Sequence, residues 1–338
     1  MSENYPIDFV VTWVDGNDPV WQAEKAKYSP NKNADNRNVR FRDWDNMQYW
    51  FRAVEKFAPW VNKIHFVTYG HLPKWLNIDN PKLNIAKHSD FIPQKYLPTF
   101  SSQPIELNLH RINGLAERFV YFNDDMFLLR PVKRELFFAG KDCLPTDFAI
   151  TSTISTTTKE DMMPFIKLNC VTILNGHFDK KEQMKKHFSK WVNLAYGCNA
   201  LRNLIFYGQH RFKGFANNHL AFSFLKSEYE DIWEKEYESL DDTSSHKFRS
   251  KLDLDNWLIR YWQLTRGNFY PIGRHVKGKV YEIYNGVEQN QELFKIIENQ
   301  AMPMICINDN DNVDFEPMKE RIKQAFDRIL PEKSSFEK

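Results

Sequence analysis

An apolar stretch that ends in two adjacent carboxylates constrains the fold of this chain more than any other feature. Residues 118–129 read RFVYFNDDMFLL, and the aromatic run before Asn123 contains no glycine or proline. Such a run is typical of a buried strand. Asp124 and Asp125 are costly at its end unless a cation compensates their charge, and hard oxygen ligands suit Mg²⁺ or Mn²⁺. A solvated turn after a strand would give the same local pattern.

Two further strand-like runs end in acidic or amide side chains. Residues 7–14 are followed by Asp15 and Asp18, and residues 304–307 are followed by Asn308, Asp309 and Asn310. Between them, strand patterns at 63–69 and 83–86 alternate with helical spacing, which predicts an α/β fold with a mostly parallel sheet. The carboxyl ends of parallel strands share one rim, so these clusters are expected to converge there. Three unrelated surface turns remain the alternative.

The second half of the chain is predicted to be mainly helical. Helical spacing of apolar residues covers 178–194, 219–237 and 254–266, and a last amphipathic helix covers 318–329. We therefore expect an α/β core at 1–140, a helical elaboration at 141–303, and a strand and helix at 304–338 that return to the core.

Composition excludes several classes of protein. The net charge of +2 and the absence of a long basic run argue against a nucleic-acid binder. The four cysteines form no CxxC pair, so neither a zinc site nor a disulfide framework is expected. The N-terminus lacks a positive region followed by a long apolar one, which predicts a soluble, cytoplasmic protein.

A polar segment in the second half has the groups that phosphate oxygens require. Residues 243–250 read TSSHKFRS and place Ser245, His246 and Arg249 just ahead of a strong helix pattern. Hydroxyls, backbone N–H groups and an arginine together bind phosphate, although the same segment could be an N-terminal capping loop. His219 is placed for proton transfer or phosphate contact at a predicted helix start, whereas His110 on another predicted helix is more typical of a packed residue.

The residues alone therefore favour a metal and diphosphate site. GxxxxGK[ST], GxGxxG and GxSxG are absent, which leaves P-loop, nicotinamide-dependent and serine hydrolase chemistry without support. Nucleotide-sugar transferases use a cation to neutralise the departing nucleotide, and this class fits the acidic strand ends.

Four sequence blocks together resemble the Stealth family. They are IDFVVTWVDGNDP at residues 7–19, the region 40–131 with LHRINGLAERFVYFNDDMFLLRP, the region 219–267 with TSSHKFRS, and CINDN with the closing PEKSSFE. This family comprises bacterial capsular polysaccharide phosphotransferases and is similar to the catalytic part of animal N-acetylglucosamine-1-phosphotransferase. The resemblance implies a nucleotide-diphospho-sugar-transferase-like (GT-A-like) core. It also implies nucleotide-sugar binding by residues 1–140 and acceptor and phosphate-binding elements within 141–303, with all parts forming one integrated catalytic unit.

The resemblance also implies an activity and its residues. A hexose or N-acetylhexosamine 1-phosphate would pass from a UDP-sugar, UDP-GlcNAc or UDP-GalNAc, to a hydroxyl of a glycan acceptor, with release of UMP in capsule or cell-surface polysaccharide synthesis. The implied roles, in the numbering of this chain, are Mg²⁺ binding by Asp125, Asp309 and the adjacent Asp124, donor binding by Asp15, Asn123, Arg118, Ser245 and His246, and catalysis by His219 and Arg249 with His110 in support.

Two alternatives stay open at this point. A metal-dependent glycosyltransferase with the same donor site would release UDP, and a nucleotide-sugar or glycan-binding module would release neither nucleotide. An acceptor linked to a lipid would bring the enzyme into peripheral contact with the inner face of the cell membrane, through the aromatic helices of the second half.

Overall fold

A computed structural model describes residues 5–29, 42–156, 158, 161–310 and 312–338 of the chain. Within these residues the strands, in chain order, are β1 (Ile7–Thr12), β2 (Ile64–Thr68), β3 (Leu83–Lys87), β4 (Arg118–Phe122), β5 (Met126–Leu128), β6 (Phe138–Ala139), β7 (Leu144–Asp147), β8 (Phe222–Leu225), β9 (Tyr270–Pro271), β10 (Gly278–Glu282) and β11 (Met304–Asn308).

The α-helices of the same residues surround these strands. In chain order they are α1 (Pro19–Tyr28), α2 (Met47–Phe57), α3 (His88–Phe91), α4 (Ser102–Leu107), α5 (Met163–His177), α6 (Lys180–Lys186), α7 (Phe188–Trp191), α8 (Asn199–Ile205), α9 (Lys226–Lys235), α10 (Tyr237–Ser245), α11 (Asn256–Thr265), α12 (Gln291–Glu298) and α13 (Phe315–Ile329). None of them is long and apolar enough to cross a lipid bilayer.

The central sheet has the strand order β3-β2-β1-β4-β8. The first four strands are parallel, and β8 pairs with β4 in the antiparallel sense. The chain moves outward from β1 to β3 and then returns to the other side of β1 as β4, so the order reverses between β1 and β4. A crevice at the carboxyl ends of the strands forms at such a reversal, and ligands bind there in open α/β sheets.

The central strand β1 is apolar on both faces because helices cover both. Phe9 and Val11 pack into one hydrophobic cluster, which includes Trp50 of α2, while Val10 points into a second cluster with Tyr261 of α11. A strand enclosed in this way is expected to be a nearly continuous apolar run. The predicted α/β class with a mostly parallel sheet and a helical second half is confirmed.

A smaller sheet holds the segment that follows β4. Its order is β10-β11-β5, with β5 antiparallel to β11. The Ile307 amide donates a hydrogen bond of 2.8 Å to the Asp125 carbonyl, and Phe326 of α13 packs against Phe127 with ring centroids 4.9 Å apart. The backbone of Asp125 is therefore fixed between two sheets.

The predicted helix at 219–237 is wrong in its first part. Residues 222–225 form β8 instead, and the helix α9 starts at Lys226. Pairing with β4 opposes Phe119 to Phe224 and Tyr121 to Phe222, and this tertiary pairing outweighs the local helical pattern. The boundaries proposed at residues 140 and 303 stay a prediction.

One carboxylate inside the sheet stabilises the fold. Asp8 of β1 is fully buried and accepts hydrogen bonds from Asn62 Nδ2 at 2.7 Å, from the Ala116 amide at 2.8 Å and from the Lys63 amide at 3.1 Å; it also contacts His65 Nε2 at 3.0 Å. Burial alone would raise the pKa of Asp8, but these bonds, led by the one to His65, lower it below the ordinary value of 3.8.

Asp8→Asn should lower the free energy of unfolding by about 2 kcal/mol at pH 7. Asparagine has a single side-chain oxygen, so it cannot accept all of the hydrogen bonds that the two oxygens of the charged carboxylate accept. Since the pKa of Asp8 is lower in the folded protein, its contribution is complete above pH 4 to 5 and is lost as the pH falls through that lowered pKa. Urea unfolding should therefore show a smaller difference in the free energy of unfolding between variant and parent at pH 3.5 than at pH 7. The exposed Asp79→Asn is the control, and a difference of constant size would contradict this role.

Candidate active site

A cavity of about 1150 Å³ opens at the carboxyl ends of β1 and β4. Its wall is built by the residues that follow these strands and β11, and by segments of the second half. The side chains with acidic, basic or imidazole groups that bear on the chemistry are Asp43, Glu106, Asp124, Asp125, Lys167, His219, Arg249, Asp255, Asp309 and Arg42. Two of the three predicted acidic strand ends thus converge in this cavity.

Asp125 is at the centre of this group. Its Oδ2 atom is 3.3 Å from His219 Nε2 and accepts a hydrogen bond from the Cys306 thiol at 3.2 Å. Its Oδ1 atom is buried and has no hydrogen-bond partner among the described residues. A buried carboxylate oxygen without a partner is unfavourable, and a divalent cation would satisfy it.

His219 faces this carboxylate from the loop before β8. Its side chain is 42% exposed, so a ligand in the cavity can reach it. Asn123 Nδ2 lies 3.5 Å from the same Nε2 atom. Burial by itself lowers the pKa of an imidazole, but the hydrogen bond and negative charge of Asp125 more than offset this and raise the pKa of His219. The geometry pairs a proton carrier with a carboxylate.

A buried ion pair holds the loop of His219. Arg260 of α11 donates two hydrogen bonds of 2.7 Å to Asp147 at the end of β7 and another of 2.7 Å to Asn217 Oδ1. Asn217 also donates to the Tyr261 hydroxyl at 2.8 Å. Because Arg260 is almost fully buried, these bonds fix the segment two residues before His219.

Asp124 lies next to Asp125 and is the more open of the two. Asp124 is exposed to the cavity, although protein surrounds the cavity. This enclosure raises the pKa of Asp124 to about 7, and the charges of Asp125 and Asp43 add to the effect. The mutual repulsion is what a bound cation relieves.

Asp309 has hydrogen-bond partners, Arg42 and Trp44, that the sequence around it did not indicate. Arg42 Nε donates to its Oδ2 atom at 3.0 Å and Trp44 Nε1 donates to the same atom at 2.9 Å, while Arg42 also contacts Oδ1. The predicted metal ligand therefore lines the cavity with both oxygens engaged. Its role at a metal stays a prediction that requires Arg42 to move.

Arg249 reaches the same cavity from the loop before α11. Its guanidinium makes long hydrogen bonds of 3.3 Å to Gln103 and Ser102 of α4, and its positive charge acts on the buried carboxylate of Glu106. Because these partners are neutral and the bonds are long, the guanidinium can exchange them for the stronger bonds that an anionic ligand offers.

Glu106 is a cavity residue that the sequence analysis missed. It is 8% exposed, and burial raises its pKa. Asp255 is also buried, and the negative charge of the nearby Glu106 adds to the effect of this burial. Together the two effects raise the pKa of Asp255 to about 7. The sequence does contain an indication of this residue: a glutamate lies inside the apolar run PIEL, and a helix face toward the core is expected to carry no charge.

The structure places two predicted site residues at a distance from the cavity. His110 packs against the ring of Tyr229 and lines a separate surface depression, and burial lowers its pKa to about 3. Arg118 is at the start of β4, the end opposite Asn123, where it donates to the carbonyl of Cys143. Both residues lie outside the cavity, so the roles predicted for His110 in catalysis and for Arg118 in donor binding stay predictions that the cavity geometry does not support.

Three further predicted donor-site residues do not line the cavity. Ser245 donates to the Asp242 carbonyl at the exposed end of α10, and His246 Nδ1 pairs with Asp253 at 2.6 Å. Asp15 Oδ1 accepts from the Asn17 amide at 2.9 Å, a turn contact at the rim next to Val14. Of the site residues predicted within 243–250, Arg249 lines the cavity, and the phosphate-binding roles of all three stay predictions.

Known proteins resemble this chain over its whole length. Residues 5–33 match the model of Stealth protein CR1, conserved region 1, and residues 40–144 match that of Stealth protein CR2, conserved region 2. The chain is 42% identical over 343 residues to the capsular polysaccharide phosphotransferase WcwK of Streptococcus pneumoniae, covering 100% of both chains.

Two other relatives come from different organisms. The receptor polysaccharide phosphotransferase WefC of Streptococcus gordonii is 41% identical, with 98% of each chain covered. The exopolysaccharide phosphotransferase cps2G of Lactiplantibacillus plantarum is 39% identical, with 100% of this chain and 98% of the relative covered. Among solved structures, an active-site mutant of LgtC covers 94% of this chain at 10% identity and a TM-score of 0.37.

Proposed function

This chain belongs to the Stealth family, and on that premise we propose that its cavity transfers a sugar 1-phosphate from a UDP-sugar to a hydroxyl of a glycan acceptor in polysaccharide synthesis. The observation that carries the proposal is the meeting of Asp125, His219 and Arg249 in one cavity. A carboxylate for a metal, a base and a guanidinium are what phosphoryl transfer from a nucleotide diphosphate requires.

The metal site is proposed on Asp125 and Asp124, with Asp309 joining them if Arg42 withdraws. Within the part of the chain that the structure describes, the Asp125 Oδ1 atom has no hydrogen-bond partner, and the pKa of Asp124 is raised; both observations fit a divalent cation there. Mg²⁺ or Mn²⁺, when bound, supplies positive charge that neutralises the diphosphate and the departing nucleotide.

The side chains of the protein handle the acceptor and the phosphorus under attack. His219 presents Nε2 to Asp125, so the proton of the acceptor hydroxyl passes to Nδ1. The acceptor oxygen then forms a bond to the sugar-linked phosphorus, and the bond from that phosphorus to the bridging oxygen breaks, releasing UMP. Arg249 steadies the other oxygens of the phosphorus. The bond between sugar C1 and oxygen is untouched, so the anomeric configuration is retained.

The released nucleotide tests this proposal. The purified protein is incubated with Mg²⁺, an acceptor glycan and either UDP-GlcNAc, UDP-GalNAc or a UDP-hexose, and the nucleotides are separated by chromatography. UMP together with a phosphodiester signal in the ³¹P spectrum is the expected result. UDP would establish a glycosyltransferase instead, and binding of the UDP-sugar without release of either nucleotide would establish a binding module. Heat-inactivated protein controls for spontaneous hydrolysis.

We further propose that the donor is UDP-GlcNAc or UDP-GalNAc, and that the enzyme acts in the cytoplasm and contacts the inner face of the membrane when its acceptor is linked to a lipid.

A further inference from the structure

A surface of the second half combines exposed aliphatic side chains with exposed cations. Between α7 and the end of α8, five large apolar side chains are exposed, two of them by more than three quarters; they are Phe188 at 46%, Leu194 at 95%, Leu201 at 61%, Leu204 at 43% and Ile205 at 78%. Leu201, Leu204 and Ile205 follow the i, i+3, i+4 spacing of one helix face. The buried Asn203 bonds the Ala149 and Trp191 carbonyls and turns that face outward.

The chain segment that carries these apolar side chains is rich in cations. Residues 178–213 contain eight lysines and arginines but two acidic residues, a net charge of +6, whereas the whole chain has +2 and the remainder therefore −4. Lys180 is buried and bonds the Phe206 carbonyl, so it is not part of the surface. The exposed cations of the segment are Lys181, Lys185, Lys186, Arg211 and Lys213.

Contacts of residues next to α6 with the chain that leaves α8 bring the basic and the aliphatic parts near each other. The chain that leaves α8 passes the start of α6, where the Lys180 amide donates to the His210 carbonyl at 2.9 Å. The ring of Phe188, just after α6, lies 6.1 Å from that of Tyr207. The cations of α6 and the aliphatic face of α8 therefore belong to neighbouring parts of one surface.

We propose that residues 181–186 and 194–205 form a docking surface for lipid bilayers that contain anionic phospholipids. Insertion of the aliphatic side chains into the interface removes them from water, and the cations pair with lipid phosphates. A second copy of this chain is the less favoured occupant, because two such surfaces facing each other would bring like charges together.

The position of the surface relative to His219 suits an acceptor held in the membrane. Gly273 lies beside the Ala195 carbonyl, next to Leu194, since a Cβ atom at position 273 would be 3.0 Å from that oxygen. The adjacent Arg274 donates to Asn218 Oδ1 and to the Asn217 carbonyl, both at 3.2 Å. Two contacts thus lead from the docking surface to the residue before His219.

Vesicle binding in the absence of donor and acceptor tests the surface independently of the proposed activity. The full chain is mixed with vesicles of phosphatidylcholine alone or with 30 mole per cent phosphatidylglycerol (about physiological charge), and the bound fraction is measured by flotation. We expect binding to the anionic vesicles only, weakened by added salt. Absence of binding, or equal binding to both vesicles, would overturn the proposal.

Matched variants locate the contact. Replacing Lys181, Lys185 and Lys186 with glutamine should weaken binding about a hundredfold, at about fivefold for each cation. The same replacement of the exposed Lys63, Lys74 and Lys295 changes the net charge equally and should leave binding within about twofold. Equal losses in the two triple variants would refute a specific surface.

The aliphatic part is tested in the same way. Leu201→Ser combined with Ile205→Ser should weaken vesicle binding by at least about tenfold, whereas Ile78→Ser combined with Leu252→Ser should not. Thermal unfolding checks that all variants fold. Light scattering without lipid completes the test: if the parent is a dimer that the Leu201 and Ile205 replacements dissociate while vesicle binding persists, the surface joins two copies of the chain and the proposal fails.

Discussion

Asp125→Asn should lower the turnover number for sugar-phosphate transfer by about a thousandfold at saturating Mg²⁺, which corresponds to about 4 kcal/mol of transition-state stabilisation. Asparagine keeps the shape of the side chain and can accept the hydrogen bond from Cys306, but it removes the negative charge. The Oδ1 atom, which has no hydrogen-bond partner among the described residues, would no longer belong to a carboxylate that can bind a metal. Release of UMP at several Mg²⁺ concentrations measures the loss.

Two further measurements make this result specific to the metal. Binding of Mn²⁺, followed by electron paramagnetic resonance, should weaken in Asp125→Asn and remain in Asp79→Asn, a replacement of an exposed carboxylate outside the cavity. Urea unfolding should show that both variants are folded. Turnover close to that of the parent protein would remove Asp125 from the proposed site.

His219→Gln is expected to lower turnover by about a hundredfold to ten-thousandfold, the range that a positioned general base contributes. Glutamine retains a hydrogen-bonding group toward Asp125 but cannot take up a proton. Because His219 is proposed to act on the acceptor, the dissociation constant for the UDP-sugar, measured by calorimetry, should change by less than about threefold while the rate of the chemical step falls.

His110→Gln is the matched control for this variant. Its imidazole is buried beside Tyr229, outside the cavity, and its lowered pKa keeps it neutral at the pH of the assay. We expect reduced stability but a turnover number within about threefold of the parent below the unfolding temperature. A loss as large as that of His219→Gln would restore the original interpretation of His110 and contradict the geometry.

The central strands could be predicted from the sequence because their signals are local. The run before Asn123 is enclosed on both faces of the sheet, so apolar side chains occupy successive positions and no solvent-facing alternation dilutes the pattern. The acidic residues after β4 and β11 follow directly from the same runs. Convergence of Asp125 and Asp309 was expected from the common edge of parallel strands. The two residues do meet, but β11 belongs to the smaller sheet beside the central one, so this rule alone did not determine their proximity.

The partners of these carboxylates could not be predicted in the same way. Arg42 lies 267 positions from Asp309, and Cys306 lies 181 positions from Asp125. His219 was assigned to a helix start because Phe222 and Leu225 fit helical spacing, whereas hydrogen bonds to β4 make that segment a strand. Contacts of this range depend on the assembled sheet and leave no periodic trace in the sequence.

Residues 243–250 show a different limit. Their composition suits phosphate, and Arg249 does reach the cavity, but the carboxylate of Asp253 engages His246 and the hydroxyl of Ser245 returns to its own helix. Local composition identifies groups that can bind an anion, and the orientation of each side chain decides which of them do. For Glu106 the local composition did not indicate a site, because it is one charged residue in an apolar run. Its relation to the cavity follows only from the position of Arg249, whose charge acts on it in the folded protein.

The antiparallel pairing of β8 with β4 has a consequence for how such enzymes diversify. The distance between Asp125 and His219 is set by the register of two adjacent strands, in which Tyr121 opposes Phe222, and not by the length of chain that joins them. A change in chain length between β7 and β8 that keeps this register and the contacts of Arg260 to Asp147 and Asn217 should therefore keep Asp125 and His219 together. The intervening helices would then be able to change the proposed acceptor contacts while the proposed chemical step is retained.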